Sequence, residues 1–306
     1  MDFLISRIYL MLMSNSKKKI LVTGGAGFVG TNLIKFLLKK TKFNIISLDN
    51  YSSGTKKNHI KSNRIKYLKG HTKNIYDLIQ NPKNIHSVFH FGEFARIYQS
   101  FIKMRECVDS NFIGSSEVFN FCLKHNIKLV YSATSASLGN KGKDKNLSPY
   151  AFSKATNLEQ LENFKKCFKF KYEVIYFYNV YGPNQISRGS MSTVIGIFED
   201  HYLRKKPLPV VRPGTQSRRF THIDDTVETC YLAWKKRLNR HYIIANTKSY
   251  SIKEVAEMFN SKIRYLPARS GERNSSALVN KNLSNKIYKY YGKISLKDYI
   301  NDFINR

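Results

Sequence analysis

Glycines at positions 24, 27 and 30 constrain this chain more than any other feature, because of where they fall. They follow directly on the apolar run Lys19–Thr23, and they open a segment whose apolar residues Val29, Leu33, Ile34 and Leu37 share one helical face. A strand that turns through glycines into a helix is built for a phosphate. The first glycine permits the tight turn, the second lets a pyrophosphate approach the backbone, and the third lets helix pack on strand. Free N–H groups and the positive helix end then hold the anion. Gly24, Gly27, Phe28, Val29 and Gly30 are therefore expected to line a dinucleotide. The next apolar run ends Leu48-Asp49-Asn50. An acid about twenty residues beyond the glycines can bind both ribose hydroxyls and would repel a 2′-phosphate, so Asp49, with Asn50 beside it, selects NAD over NADP. Lys56 and Lys57 nearby work against that preference.

The same alternation continues. Short apolar runs at 44–48, 65–68, 87–90, 128–132 and 172–178 are separated by helical patterns, among them a long stretch through Lys124 and another over Tyr150–Phe168. This rhythm predicts an α/β chain, a doubly wound parallel (Rossmann) sheet covered on both faces. After Pro183 the rhythm changes. Met191–Leu203 and Asp224–Lys235 read as helices, Leu208–Val211 and Arg218–His222 as short strands, and Ile252–Phe259, Asn282–Tyr290 and Ser295–Ile304 as short helices. The expected organisation is an N-terminal extension (1–15), an NAD-binding domain (16–182) and a smaller α+β substrate lobe (183–306) with segments returning to the sheet.

With 52 basic against 21 acidic residues, the 306-residue chain carries a formal charge of +31. The basic residues are scattered, with short runs at Lys17–Lys19, Lys39–Lys42 and Arg204–Lys206, and no zinc-finger spacing or RNA-binding aromatic signature accompanies them. A solvated surface is expected rather than a nucleic-acid site, with attraction of an anionic substrate as a side benefit. Cys107, Cys122, Cys167 and Cys230 form no C-x-x-C pair, so no metal is expected and the thiols fit a reducing, cytoplasmic setting. Phe3–Met13 is apolar but interrupted by Arg7 and too short to span a bilayer, and Met11 and Met13 are alternative starts. No stable membrane insertion is expected.

A second constellation is Tyr150-Ala151-Phe152-Ser153-Lys154. Positions four apart share a helix face, so phenol and ammonium can serve one point. Lowering a phenol from about 10 to about 7 takes roughly 4 kcal/mol, which Lys154 and a positive nicotinamide can supply by favouring phenolate.

The glycine motif, Asp49-Asn50, the segment Ser132-Ala133-Thr134-Ser135, Tyr150 with Lys154, and Asn179-Val180-Tyr181-Gly182-Pro183 together resemble the extended short-chain dehydrogenase/reductases, in the NAD-dependent epimerase/dehydratase branch. The resemblance covers nearly the whole chain from about Lys18. It implies that Tyr150 is the general base and acid, that Lys154 binds the nicotinamide ribose, and that Thr134 holds the reacting sugar hydroxyl. It also implies that Phe91, Gly92, Asn111 and Ser132 line NAD, and that Asn179, Arg218 and Arg269 contact a nucleotide-diphosphate sugar. Arginine suits the diphosphate because its planar fork binds two oxygens at once. A homodimer, joined through the helices that begin near Glu93 and Tyr150, is implied as well.

Family dehydratases place an acidic pair after the catalytic Thr, and decarboxylases a Glu; here Ser135 and Ala136 follow Thr134. That leaves oxidation and re-reduction at one carbon, an epimerisation of a UDP-sugar serving polysaccharide biosynthesis. Another NAD-dependent reductase, dehydratase or decarboxylase of nucleotide sugars is the alternative, and a non-catalytic NAD sensor a remote one. The sequence departs from the family pattern in Gly70-His71 for Gly-Asp, in Arg218-Arg219 for Arg-Asp, and in Glu93 for a small residue beside the nicotinamide. Glu93 reads equally as a pocket acid and as a helix-start residue.

Overall fold

In a computed structural model, residues 18–138, 146–236, 239–269, 271, 274–275 and 287–306 are described. The expected N-terminal extension, Ser270 and Glu272 lie outside the described residues. Eight strands make one parallel sheet: β1 (Lys19–Thr23), β2 (Asn44–Asp49), β3 (Ile65–Lys69), β4 (Ile85–His90), β5 (Lys128–Thr134), β6 (Tyr172–Phe177), β7 (His241–Ala245) and β8 (Ile287–Tyr291). Their order across the sheet is β8-β7-β6-β5-β4-β1-β2-β3. The winding direction reverses between β1 and β4, and in open α/β sheets a ligand crevice opens beyond the strand ends at that point.

Alternate residues of the central strands feed two separate cores. Leu21, Val88, Leu129, Tyr131, Val174 and Ile243 face one side, where they meet Val118, Phe119 and Cys122 of α2 (Ser115–Lys124) and Leu161 of α3 (Pro149–Phe168). Ile20, Val22, Phe89, Val130, Ile175 and Ile244 face the other. There they meet Leu33, Ile34 and Leu37 of α1 (Phe28–Lys40) and Val227, Cys230 and Trp234 of α5 (Ile223–Lys236), with α4 (Val194–Leu203) lying between these in sequence. Burial on both faces is why these strands read as continuous apolar runs. A third core joins Ile195 and Phe198 of α4, Val210, Phe220, Val255 and Phe259, and Leu296 and Ile300 of α7 (Leu296–Ile304), with α6 (Ile252–Glu257) between.

Several expectations are corrected. Within the segment expected as a helix over Asn282–Tyr290, Ile287–Tyr291 is an edge strand paired with β7; its Ile-Tyr-Lys-Tyr-Tyr composition favours a pleated surface. The long helical stretch through Lys124 is broken into Ile97–Ile102, Met104–Val108, a π-type turn at Asp109–Gly114, and α2. At Gly114 a Cβ would lie 2.3 Å from Thr72 Oγ1, so the turn needs glycine to sit this close. The helix expected from Met191 starts at Val194, where the Thr193 hydroxyl accepts the Gly196 N–H at 3.1 Å. Arg218–His222 splits into two-residue strands at Ser217–Arg218 and Thr221–His222.

Gly30 joins α1 to the sheet at the closest approach in the first crossover. A Cβ there would stand 2.1 Å from the Gly24 carbonyl oxygen. Gly30→Ala should therefore cost about 1–3 kcal/mol, the usual range for overpacking, read as a lower urea midpoint at unchanged slope.

Candidate active site at the sheet's switch point

The cofactor side begins with Gly24, whose φ of +67° is left-handed and whose absent Cβ leaves room for the Phe91 carbonyl. The Thr23 hydroxyl accepts the N–H groups of Phe91 (3.1 Å) and Gly92 (3.0 Å), fastening the end of β1 to the loop after β4. Gly27 caps α1 without a side-chain bond, and the first turn of α1 carries no acid, which leaves its N–H groups free for phosphate. Asp49, at the end of β2, is buried. Its carboxylate accepts the Ala26 N–H (2.9 Å) and the Tyr51 N–H (2.7 Å), and burial raises its pKa against these bonds. This cradle fits an adenine dinucleotide: open N–H groups for the pyrophosphate and a carboxylate where the ribose diol would lie.

The chemical side is carried by α3 and β5. Ser148 accepts the Ala151 N–H at 3.1 Å and Pro149 follows at the first helical position, which fixes where α3 starts. Tyr150 then lies in the first turn and Lys154 one turn on, as the spacing requires. Burial pushes the Tyr150 phenol up to about 12, opposed by the Thr134 side chain, raised further by Glu93 and lowered by Arg96. Arg96 thus supplies one positive charge that favours phenolate. The Lys154 ammonium is ion-paired with Glu93 and also donates to the Ser132 carbonyl. Burial lowers its pKa and Glu93 opposes the shift.

A single cleft of about 520 Å³ is lined by every residue expected at the site except Asn111. Asn111 is fully buried behind it, accepting the Phe94 N–H (2.7 Å) and donating to the Phe94 carbonyl (3.0 Å) and to Ser153 (2.9 Å), so it braces the loop after β4 against α3. At the far end lie Asn179, Arg218 and Arg269. Arg218 is largely buried and donates to the Ser217 carbonyl at 2.8 Å, while Arg269 is exposed with its guanidinium 5.1 Å from the Tyr98 ring. Arg219 turns away, to the Asn246 carbonyl at 2.8 Å.

Of two further lining residues, the sequence left Glu93 open between pocket acid and helix start and gave Arg96 no role. Glu93 is not at a helix start: the helix begins at Ile97, and the Glu93 side chain is 2% exposed. A carboxylate among Phe91, Gly92 and Phe94 was the available sign, since a buried acid needs a partner. Arg96 donates to the Met191 carbonyl at 2.9 Å, joining the loop after β4 to the segment before α4. Nothing in its local pattern distinguished it from a surface arginine.

The fold and this cleft define a dinucleotide-dependent enzyme of the short-chain dehydrogenase/reductase kind. Residues 20–245 match the NAD dependent epimerase/dehydratase family, and the chain belongs to it. It is 30% identical over 227 residues to an uncharacterized UDP-glucose epimerase, YtcB, of Bacillus subtilis, covering 69% of this chain and 70% of that protein. It is 28% identical over 282 residues to the UDP-N-acetyl-alpha-D-glucosaminuronate decarboxylase of Bacillus cytotoxicus, covering 82% and 84% of the two chains. Its fold matches that of the Bacillus cereus UDP-glucuronic acid 4-epimerase solved with UDP-glucuronic acid and NAD, with a TM-score of 0.81 and 24% identity over 94% of this chain and 99% of that one. NAD is the cofactor of the family, and the related proteins include an epimerase and a decarboxylase named for nucleotide sugars.

No helix among the described residues is long and apolar enough to cross a membrane, and no group of three or more metal-ligating side chains occurs among them. The four cysteines are free; Cys167 is exposed and the other three are buried.

If Asp49 holds the ribose diol, calorimetry should give NAD at least about tenfold tighter binding than NADP, an advantage of about 1.4 kcal/mol. Equal affinities would show that Asp49 serves the glycine loop alone.

Proposed function

We propose that this protein is a nucleotide-sugar epimerase that inverts carbon-4 of a UDP-sugar while keeping its NAD. The observation that carries the reading is the chemistry around Thr134. Thr134, Tyr150 and Lys154 line one cleft, and the residues after Thr134 are Ser135 and Ala136, both buried and neither able to pass a proton to a leaving hydroxyl. The same observation weighs against decarboxylation, the activity named for the Bacillus cytotoxicus relative.

NAD held by the glycine turn at Gly24 and Gly27 and by Asp49 would supply reversible hydride transfer at carbon-4. The protein's part is proton handling and grip. Thr134 holds the sugar hydroxyl, Tyr150 takes its proton and later gives it back, and Lys154 binds the nicotinamide ribose. Asn179, Arg218 and Arg269 hold the nucleotide diphosphate, with bidentate arginine contacts suited to its oxygens. In the cofactor-free protein burial holds the Tyr150 phenol up to about 12; the positive charge of bound oxidised NAD would add to that of Arg96 in favouring the phenolate that accepts the sugar proton.

The test follows an isotope. Hydrogen label at carbon-4 should remain in the product and not exchange with water, two sugar nucleotides should interconvert, and no NADH should accumulate. Solvent hydrogen entering the sugar would indicate a dehydratase, and NADH in proportion to product a simple dehydrogenase. Tyr150→Phe should keep the fold and NAD binding while losing at least the roughly 10²–10⁴-fold typical of an acid–base group.

The same reading includes a homodimer. Ile102, Met104 and Ile113, in the helical segments after β4, and Phe152, on α3, are exposed. Pairing these faces would remove that apolar surface from water. Light scattering at micromolar concentration should give a dimer mass, and a monomer would refute the arrangement.

A further inference from the structure

Glu93 is surrounded by donors. One carboxylate oxygen takes the Lys154 ammonium; the other accepts the Ser115 hydroxyl at 2.9 Å, the Tyr131 phenol at 3.0 Å and the Asn157 amide at 3.2 Å. All four contacts give a hydrogen to Glu93, and none takes one, so the site is arranged for the ionised carboxylate. The arrangement reaches back to β1. Thr23 Oγ1 lies 2.7 Å from His90 Nδ1, and His90 Nε2 lies 3.0 Å from Ser115 Oγ. Since Ser115 donates to Glu93, it must accept from His90 Nε2–H, which leaves His90 Nδ1 to accept the Thr23 hydroxyl. One ordered set of donors therefore runs from the end of the first strand to the Glu93 carboxylate.

Lys154 has three N–H donors. One goes to Glu93, one to the Ser132 carbonyl, and one remains for the cleft that Lys154 lines. Its side chain is 4% exposed, and burial without a counter-charge disfavours an ammonium. The other titratable groups facing it are His90 on β4, Tyr131 on β5 (its ring 4.6 Å from Nζ), Cys107 on the helix at 104–108, and Tyr150 on α3. Burial holds His90 neutral, down to about 4, and holds Cys107 up to about 11 and Tyr150 up to about 12. Tyr131 is held protonated as well. Among these groups Glu93 is the carboxylate in direct contact with the ammonium.

We propose that Glu93 is a positioning residue that keeps Lys154 charged and aims its remaining N–H at the cofactor ribose. This rests on the reading of Lys154 as the ribose-binding partner of Tyr150. Glu93 takes no part in proton transfer to the sugar, because both its oxygens are occupied. It replaces the solvent that an exposed lysine would use to hold its charge.

The experiment reads Lys154 directly, in the cofactor-free protein. With lysine labelled at ¹³Cε, the Lys154 resonance is the one lost in Lys154→Ala. In Glu93→Gln it should titrate at least about one pH unit lower, the sign expected when a counter-charge leaves a buried cation. The NAD dissociation constant should rise about tenfold, and the alkaline limb of the activity profile should move down by the same interval. Glu93→Asp, whose shorter arm withdraws the carboxylate without removing it, should fall between; it also serves if Glu93→Gln does not fold. A folded Glu93→Gln, or a folded Glu93→Asp in its place, whose Lys154 titrates as in the wild type would overturn the proposal and leave Glu93 a packing residue. If Lys154→Ala instead retained full NAD affinity and turnover, the ribose-binding reading would fail, with the titration result unaffected.

Discussion

The structure depends on how closely two backbones meet where the sheet reverses direction. Gly24 follows β1 where a Cβ would stand 2.8 Å from the Phe91 carbonyl, and the Thr23 hydroxyl collects the N–H groups of Phe91 and Gly92 in the facing loop. A side chain at position 24 would push the loops apart. With them together, the glycine turn on one side and Glu93 and Arg96 on the other become walls of one cleft. The cofactor cradle and the catalytic helix are thus parts of a single junction, tied through Thr23, His90 and Ser115.

Much of this was legible in the sequence because the periodicities are strong. Strands buried on both faces must be apolar along their length, so β1, β2 and β4 to β6 stood out, and the glycine spacing located the turn. Tyr150 and Lys154 lie one helical turn apart, so their shared face followed from arithmetic. What stayed hidden was what depends on distance along the chain. Glu93 and Lys154 are separated by 61 positions, and neither segment announces the other. Asn111 matched a cofactor-lining position but lies behind the loop, because its amide is consumed by the Phe94 main chain. Ile287–Tyr291 alternates too little for periodicity to separate strand from helix, and its parallel pairing with β7 makes the strand that its β-branched and aromatic composition favours.

The burial of charge is unusually consistent for so basic a chain. Among the described residues, buried and half-buried cations are matched to acids or carbonyls: Lys154 to Glu93, Lys128 to Glu173, and Arg64 to the Thr41 and Leu38 carbonyls. Each such match meets the cost of desolvation locally, so surface charge can vary without disturbing the interior.

Asp49 carries an implication for redesign. Its two oxygens already hold the Ala26 and Tyr51 N–H groups, so the group expected to discriminate between cofactors is also a strut of the phosphate loop. Swapping it for a neutral or basic side chain would remove both functions together. Preference for one dinucleotide is consequently not a dial on this scaffold: an engineer, or a lineage drifting toward the phosphorylated cofactor, must supply a replacement brace before the specificity can move.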